Sequence, residues 1–164
     1  MRLTVRTNLA MRVLMYCAVN RHHLTRSSEV AAACNASPHH VAQVVNQLAA
    51  QGFLTTHRGR TGGIELARDP DSITIGEVFS EFEAALPLTE CFDAEGNTCP
   101  LTTGCRLRDA LIGAVAAFYR ELNHITLEEL VQDNINLETA FSGAGCAAIR
   151  KDRQRRKDKY LLQE

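Results

Sequence analysis

Apolar residues recur at helical spacing soon after the start of the chain. Leu9, Ala10, Val13, Leu14, Cys17 and Ala18 share one face, and Thr7 in front of them belongs to the residue types favoured as caps. The pattern predicts a first helix over about Asn8 to Val19. A polar stretch, Asn20 to Arg26, carries neither strand nor helix pattern. Ser27 or Ser28 then serves as the cap of a short second helix through Val30, Ala31 and Ala33, and Asn35-Ala36 reads as a tight turn. Ser37-Pro38 is the sharpest helix start in the chain, because Ser caps well and Pro is preorganised for the first helical position. The third helix should run to about Gln51, with Val41, Val44, Val45 and Leu48 inward and Gly52 ending it.

Two short helices joined by a tight turn describe a helix-turn-helix, whose second helix enters the major groove with its N-terminal residues nearest the bases. Here those residues are His39, His40 and Gln43, with Ser37 near a phosphate. Alternation then replaces helical spacing. Phe53-Leu54-Thr55-Thr56 and Ile64-Glu65-Leu66 predict two strands of a hairpin, joined through His57-Arg58-Gly59-Arg60-Thr61-Gly62-Gly63. A basic, glycine-rich hairpin beside a helix-turn-helix is a wing, suited to placing Arg58 and Arg60 in a minor groove. Gly59, Gly62 and Gly63 allow the close backbone approach, and Thr61 lies among them as a further candidate DNA contact.

Beyond the wing, a short acidic helix over about Ile75 to Phe82 should pack Val78, Phe79 and Phe82 on the preceding domain. Residues 87–105 have little periodicity and read as loop. The longest helical pattern follows, Arg106 to Asn123, with Leu107, Leu111, Val115, Phe118, Tyr119 and Leu122 along one side. Ala110, Gly113, Ala114, Ala116 and Ala117 permit close helix–helix approach. So much apolar surface exceeds what a small winged domain can cover, so a second copy of the chain is the expected cover, and a dimer also suits a two-fold DNA site. Thr126 and Glu129 form a T-x-x-E capping box for a further short helix with Leu127, Leu130 and Val131 inward.

Charge sharpens this picture. The net charge of the 164 residues is −1, but residues 1–70 hold eight Arg and three acids, residues 71–141 three Arg and thirteen acids, and residues 142–164 seven basic and three acidic side chains. A basic first block fits a polyanion partner. The basic tail, Arg150 to Lys159, reads as a solvated, disordered end. No apolar run approaches the ~20 residues of a membrane span, and the N-terminus has no signal-peptide stretch. A cytoplasmic protein without a membrane partner is expected. No nucleophile elbow, P-loop or metal-hydrolase His pair is present, so nothing points to an enzyme.

Six cysteines in a reducing compartment argue against a disulfide framework. Cys17 and Cys34 have apolar helical neighbours and read as core. Cys91, Cys99 and Cys105, spaced C-x7-C-x5-C, have polar and glycine neighbours. Structural zinc usually shows paired, closely spaced cysteines, and clusters accept looser spacings. Spacing alone leaves an iron–sulfur cluster, zinc and a thiol redox switch open.

Several stretches resemble a known family of bacterial iron–sulfur winged-helix transcription regulators. They are Met1-Arg2-Leu3-Thr4 with Thr7-Asn8, the wing Arg58 to Leu66, Ile75-Gly76-Glu77-Val78, the three cysteines, Cys105-Arg106-Leu107, and Thr126-Leu127-Glu128-Glu129-Leu130-Val131. The resemblance covers about residues 1–135. It implies a homodimer on a double-stranded DNA operator, a long dimerisation helix, and an iron–sulfur cluster held by Cys91, Cys99 and Cys105. The four-iron, four-sulfide form is preferred over the two-iron form. Two departures bear on the branch. Where the cluster-biogenesis branch has a His, this chain has Arg108, which cannot ligate. Where nitric-oxide-sensing members often have an Asp that completes the cluster from the other subunit, this chain has Asn8, so Asn8 of the partner subunit is the candidate fourth ligand. The first twenty residues and the x7 spacing resemble the iron-regulating branch, and Cys105 to Asn134 the nitric-oxide-sensing branch.

The fold class expected is mainly α with a small β-hairpin: a winged helix-turn-helix over 1–83, a cluster loop over 84–106, a dimerisation helix and short C-terminal helix over 107–141, and a basic tail over 142–164. The function expected is a repressor controlled by its cluster and sensing nitric oxide or redox stress. The alternatives are an iron-responsive regulator and, from another class, a zinc-stabilised interaction module.

Overall fold

The computed structural model describes residues 3–83, 88–93, 96–101 and 103–141. The basic tail and Cys146 lie outside the described residues, as do Met1 and Arg2 and parts of the cysteine loop. The chain order is α1 (Val5–Val19), α2 (Ser27–Ala33), α3 (Pro38–Ala50), β1 (Leu54–His57), β2 (Gly63–Leu66), α4 (Ile75–Glu83), α5 (Arg106–Asn123), α6 (Leu127–Val131) and α7 (Ile135–Phe141). Single 3-10 turns sit at Pro70–Ser72 and Glu90–Phe92.

α1 is the centre of the fold. Its six patterned apolar residues are all buried, and Met11 and Tyr16 on other faces are buried as well. The helix packs against α3 and α4, and also against α6 and α7. Leu127 and Val131 of α6 and Phe141 of α7 complete the core from that side, with the Phe141 ring edge-on to Tyr16 at 5.2 Å. The junction is knit by backbone bonds: Ile75 N–H donates to Ile125 O at 2.9 Å and Leu127 N–H to Ile73 O at 2.8 Å.

α1 starts earlier than the cap pattern predicts. Thr4, not Thr7, is the cap, accepting from Thr7 N–H at 3.1 Å. Thr7 is fully buried, and its hydroxyl donates to Glu83 Oε1, which also accepts from Thr4 N–H at 2.8 Å. A carboxylate from the end of α4 thus serves orphan donors that local sequence could not assign. In α2, Ser27 is already helical and the cap position is Arg26, whose N–H is taken by Glu29 Oε2 at 3.0 Å. α7 has no counterpart in the sequence reading. It is seven residues long, Ile135 is 74% exposed, and only Phe141 is buried, so no apolar period marks it. α4 and α5 lie where the pattern puts them, as does the Thr126–Glu129 capping box of α6.

α3 ends in a Schellman arrangement: Gly52 has φ +75°, Gly52 N–H donates to Ala49 O and Phe53 N–H to Leu48 O at 2.9 Å. This reversal sends the chain directly into β1.

Candidate nucleic-acid interface and thiol loop

α2 and α3 are joined through Asn35, which takes the left-handed conformation with φ +48°. Ser37 caps α3, accepting from His40 N–H at 3.2 Å, and Pro38 occupies its first turn. With Val41, Val44, Val45 and Leu48 buried, the opposite face carries Ser37, His39, His40 and Gln43, all exposed. The His39 and His40 rings stand 6.1 Å apart. The predicted recognition residues are therefore gathered at the N-terminal end of one helix, facing solvent.

The hairpin pairs Leu54 with Leu66, Thr55 with Glu65, Thr56 with Ile64 and His57 with Gly63. Its tip exposes Arg58, Gly59, Arg60 and Thr61, and half-buries Gly62 and Gly63. Gly59 has φ +107°, a conformation that glycine alone adopts readily. Gly62 is required by space, since a Cβ there would lie 2.2 Å from His57 O. Just below the hairpin's tip His57 Nε2 and Glu65 Oε1 are 2.7 Å apart.

A further support came from a stretch with no strand pattern. Thr25 is 1% exposed and exchanges both backbone bonds with Ile64, at 3.0 and 2.8 Å. This bridge fixes the wing to the segment leading into α2. Arg12 was likewise missed. Its guanidinium donates to Cys34 O at 2.6 Å, covering a carbonyl at the end of α2 where a cation is favoured. A single arginine inside an apolar helix was the available signal.

The six cysteines divide as their neighbours predict, among those described. Cys17 and Cys34 are each 2% exposed. Burial pushes the Cys17 thiol up from 9.0 to about 12, with the neighbouring Cys34 adding to the rise. Cys91, Cys99 and Cys105 are half-buried and in no disulfide. The Glu90–Phe92 turn joins the segments that bear them. Thr98, beside Cys99, donates to Glu90 Oε2 at 3.2 Å. Arg108, one helical turn beyond Cys105, donates from Nε to Cys91 O at 3.2 Å. Cys105 itself is the cap residue of α5, and its side chain makes no capping bond. It thus stands at the positive end of an 18-residue helix, where negative charge is favoured. Among the described residues, no three His, Cys, Asp or Glu side chains stand close enough to hold a metal ion. The donor chemistry of three solvent-reachable thiols on tethered segments nonetheless fits a thiolate-held group. Asn8, the candidate fourth donor, is exposed on the first turns of α1.

α5 has no buried residue; Leu107 is 67% and Ile112 42% exposed. Its contacts to the domain include Phe118 on Phe79, at 6.2 Å between rings, Leu122 against the core, and Asn123 against Thr74 and Gly76. No helix among the described residues is long and apolar enough to cross a membrane.

The family model of Rrf2, described as iron-dependent transcriptional regulators, matches residues 3–133. The chain belongs to the Rrf2 family. It is 44% identical over 140 residues to the HTH-type transcriptional regulator NsrR of Geobacillus kaustophilus, covering 85% of this chain and 95% of that one. It is 39% identical over 132 residues to protein aau3 of Rhizobium meliloti, covering 80% and 86%. Among solved structures, T. potens IscR superposes with TM-score 0.65 at 17% identity, covering 81% of this chain and 88% of that one. CymR of B. subtilis, a global cysteine regulator, gives 0.63 at 22%, covering 80% and 96%. At those identities the structural likeness is one of fold. The protein is thus a DNA-binding transcription regulator of the Rrf2 family with a winged helix-turn-helix.

Proposed function

We propose that this Rrf2 protein is a repressor that works in the cytoplasm as a homodimer, and not an enzyme. Its affinity for a two-fold double-stranded DNA operator is set by an iron–sulfur cluster on Cys91, Cys99 and Cys105, and nitric oxide is the signal. The single observation that carries the reading is the tethering of all three cysteine segments to one turn, in a chain similar along most of its length to regulators named NsrR. The division of labour is a DNA-binding unit over 1–83, a cluster loop over 84–106, a dimerisation helix with short C-terminal helices over 107–141, and a basic tail over 142–164.

In this division Ser37, His39, His40 and Gln43 read the major groove, while Arg58 and Arg60 on the Gly59–Gly63 turn enter the minor groove. The open face of α5 is covered by its counterpart in the second subunit. Three thiolates would hold a four-iron, four-sulfide cluster, with Asn8 of the partner subunit as the candidate fourth ligand. When bound, the cluster supplies iron with which nitric oxide reacts. Asn8 also favours a second reading, response to iron supply, because an amide holds iron less firmly than a carboxylate.

The test is anaerobic purification followed by iron and sulfide analysis, visible absorption, and binding to a DNA duplex selected by the protein from a random pool. A brown protein with iron and sulfide is expected, which binds its duplex and releases it on addition of a nitric oxide donor. Colourless protein holding zinc would overturn the cluster, and release by an iron chelator but not by nitric oxide would favour the iron-responsive reading.

A further inference from the structure

Arg108 is placed where an ordinary helix would not want it. It lies in the first turn of α5, three residues after the Cys105 cap, and Arg106 lies beside it. The positive end of a helix disfavours cations, so local energetics offer no reason for two guanidinium groups there. Arg108 is also half-buried and fully engaged with the loop. Its Nε–H donates to Cys91 O, and its guanidinium carbon lies over the Phe92 ring, 5.7 Å from the centroid. Both contacts are made to the Glu90–Phe92 turn. That turn is closed by Phe92 N–H to Thr89 O and Asp93 N–H to Glu90 O, each at 3.0 Å. Glu90 in turn receives Thr98, next to Cys99.

We propose that Arg108 is a positioning residue of the thiol loop. It docks the Glu90–Phe92 turn, and Cys91 with it, on the N-terminal turn of α5 where Cys105 stands. The inference rests on the cluster reading for its purpose, but the tether itself is a property of the chain alone. Arg suits the task because its planar fork stacks and donates together and never loses its proton.

The full-length protein is purified anaerobically as wild type, Arg108→Ala and Arg108→Lys, and a portion of each is stripped of iron by a chelator. On stripped protein, mass spectrometry follows amide exchange over Glu90–Asp93 and iodoacetamide labelling of Cys91. Both are expected to run about fivefold faster in Arg108→Ala, the equivalent of one hydrogen bond of about 1 kcal/mol. Labelling of Cys17 in the core should stay unchanged. Arg108→Lys keeps the charge but neither the Nε–H nor the plane, so it should fall between the two. If the alanine variant unfolds, seen as labelling of Cys17, the lysine variant decides, with wild-type exchange rates counting against the tether. Rates equal to wild type in a folded Arg108→Ala protein would overturn the proposal. On loaded protein, iron should pass to the chelator faster in Arg108→Ala than in wild type. A wild type without iron and sulfide would sink the cluster reading while leaving the exchange result to judge the tether.

Discussion

Gly62→Ala separates the wing's part in DNA binding from its part in stability. A Cβ at residue 62 would stand 2.2 Å from His57 O, 2.9 Å from Arg58 C and 3.0 Å from Gly59 O, where ordinary contact begins at 3.4 Å. All three atoms are backbone, so no side chain can swing away. The His57 carbonyl has to retreat by more than an ångström, and His57 is the last residue of β1, paired with Gly63. The closing bond of the tip, Gly62 N–H to Gly59 O at 3.0 Å, is strained by the same shift. The damage stays local. The tip is exposed, whereas the buried wing residues, Leu54 and Ile64, are held by the core and by Thr25. Overpacking in a core costs about 1–3 kcal/mol, and a solvent-facing turn that can relax should lose about 1 kcal/mol or less. Binding should suffer more. Losing one charge-assisted hydrogen bond costs about 1.5–3 kcal/mol, roughly 10- to 150-fold in affinity. Two displaced arginines in each of two subunits should lower the salt slope by about 3.6, at about 0.9 per phosphate contact. Urea unfolding gives the first quantity, and titration of the selected duplex at several salt concentrations gives the others. Wild-type affinity and slope, with the hairpin's amide shifts displaced, would show that the wing stays off the DNA. A large loss of stability with normal binding would equally refute the argument.

Two further outcomes follow from buried contacts. Gly76→Ala sets a Cβ 2.2 Å from Asn123 Oδ1 and 2.9 Å from Asn123 N, so α5 has to lift from α4; a loss of about 1–3 kcal/mol in urea unfolding is expected, and unchanged stability would mean that this junction is loose. The Cys17 thiol, pushed up to about 12, stays protonated in the folded chain while the unfolded chain ionises near 9.0. The unfolded state therefore binds fewer protons above pH 9, and stability, intact below that pH, falls between pH 9 and 12. Cys17→Ala should remove part of that slope, and an identical slope in the variant would assign it elsewhere.

What the sequence made legible was whatever local pattern controls. The six apolar positions of α1, the inward row of α3, the Ser37-Pro38 start, the Gly52 stop and the bounds of α5 each depend on neighbours within a turn or two. The misses are long-range. Thr7 looked like a cap because Thr is a capping residue, but Glu83, 76 residues away, makes it a buried donor instead. Thr25 sits in a polar run yet bridges to Ile64. α7 shows no period because only Phe141 of its seven residues is buried. At the thiol loop the donors were legible from residue type and spacing, while the partner of Arg108 was not. A hydrogen bond to a backbone carbonyl leaves no complementary residue type in the sequence, since any residue at position 91 would offer the same oxygen.

The same geometry bears on how the two halves of the molecule are mechanically joined. α5 is 18 residues, about 27 Å at 1.5 Å per residue, and is tied down at both ends. At its start, Cys105 and Arg108 tie it to the loop. At its finish, Asn123 packs on Gly76 and receives the Thr74 hydroxyl, and Ile125 and Leu127 are bonded into the 73–75 backbone. α4, which begins at that point, ends in Glu83, and Glu83 holds Thr4 and Thr7 at the start of α1. Glu83 also adds to the upward shift of the Tyr119 hydroxyl, which desolvation mainly causes, so α5 lies within electrostatic reach of that clamp. The loop therefore reaches α1 by two routes: through α4, whose Glu83 is hydrogen-bonded to the start of α1, and through α5 to α6, which packs on α1. α1 in turn carries the wing through β2 and the recognition helix through its packing on α3. A shift of the thiol segments has to be absorbed within the loop or passed to the Asn123–Gly76 contact and the Glu83 clamp. Both of these are close-fitting, and close-packed contacts transmit displacement better than they absorb it.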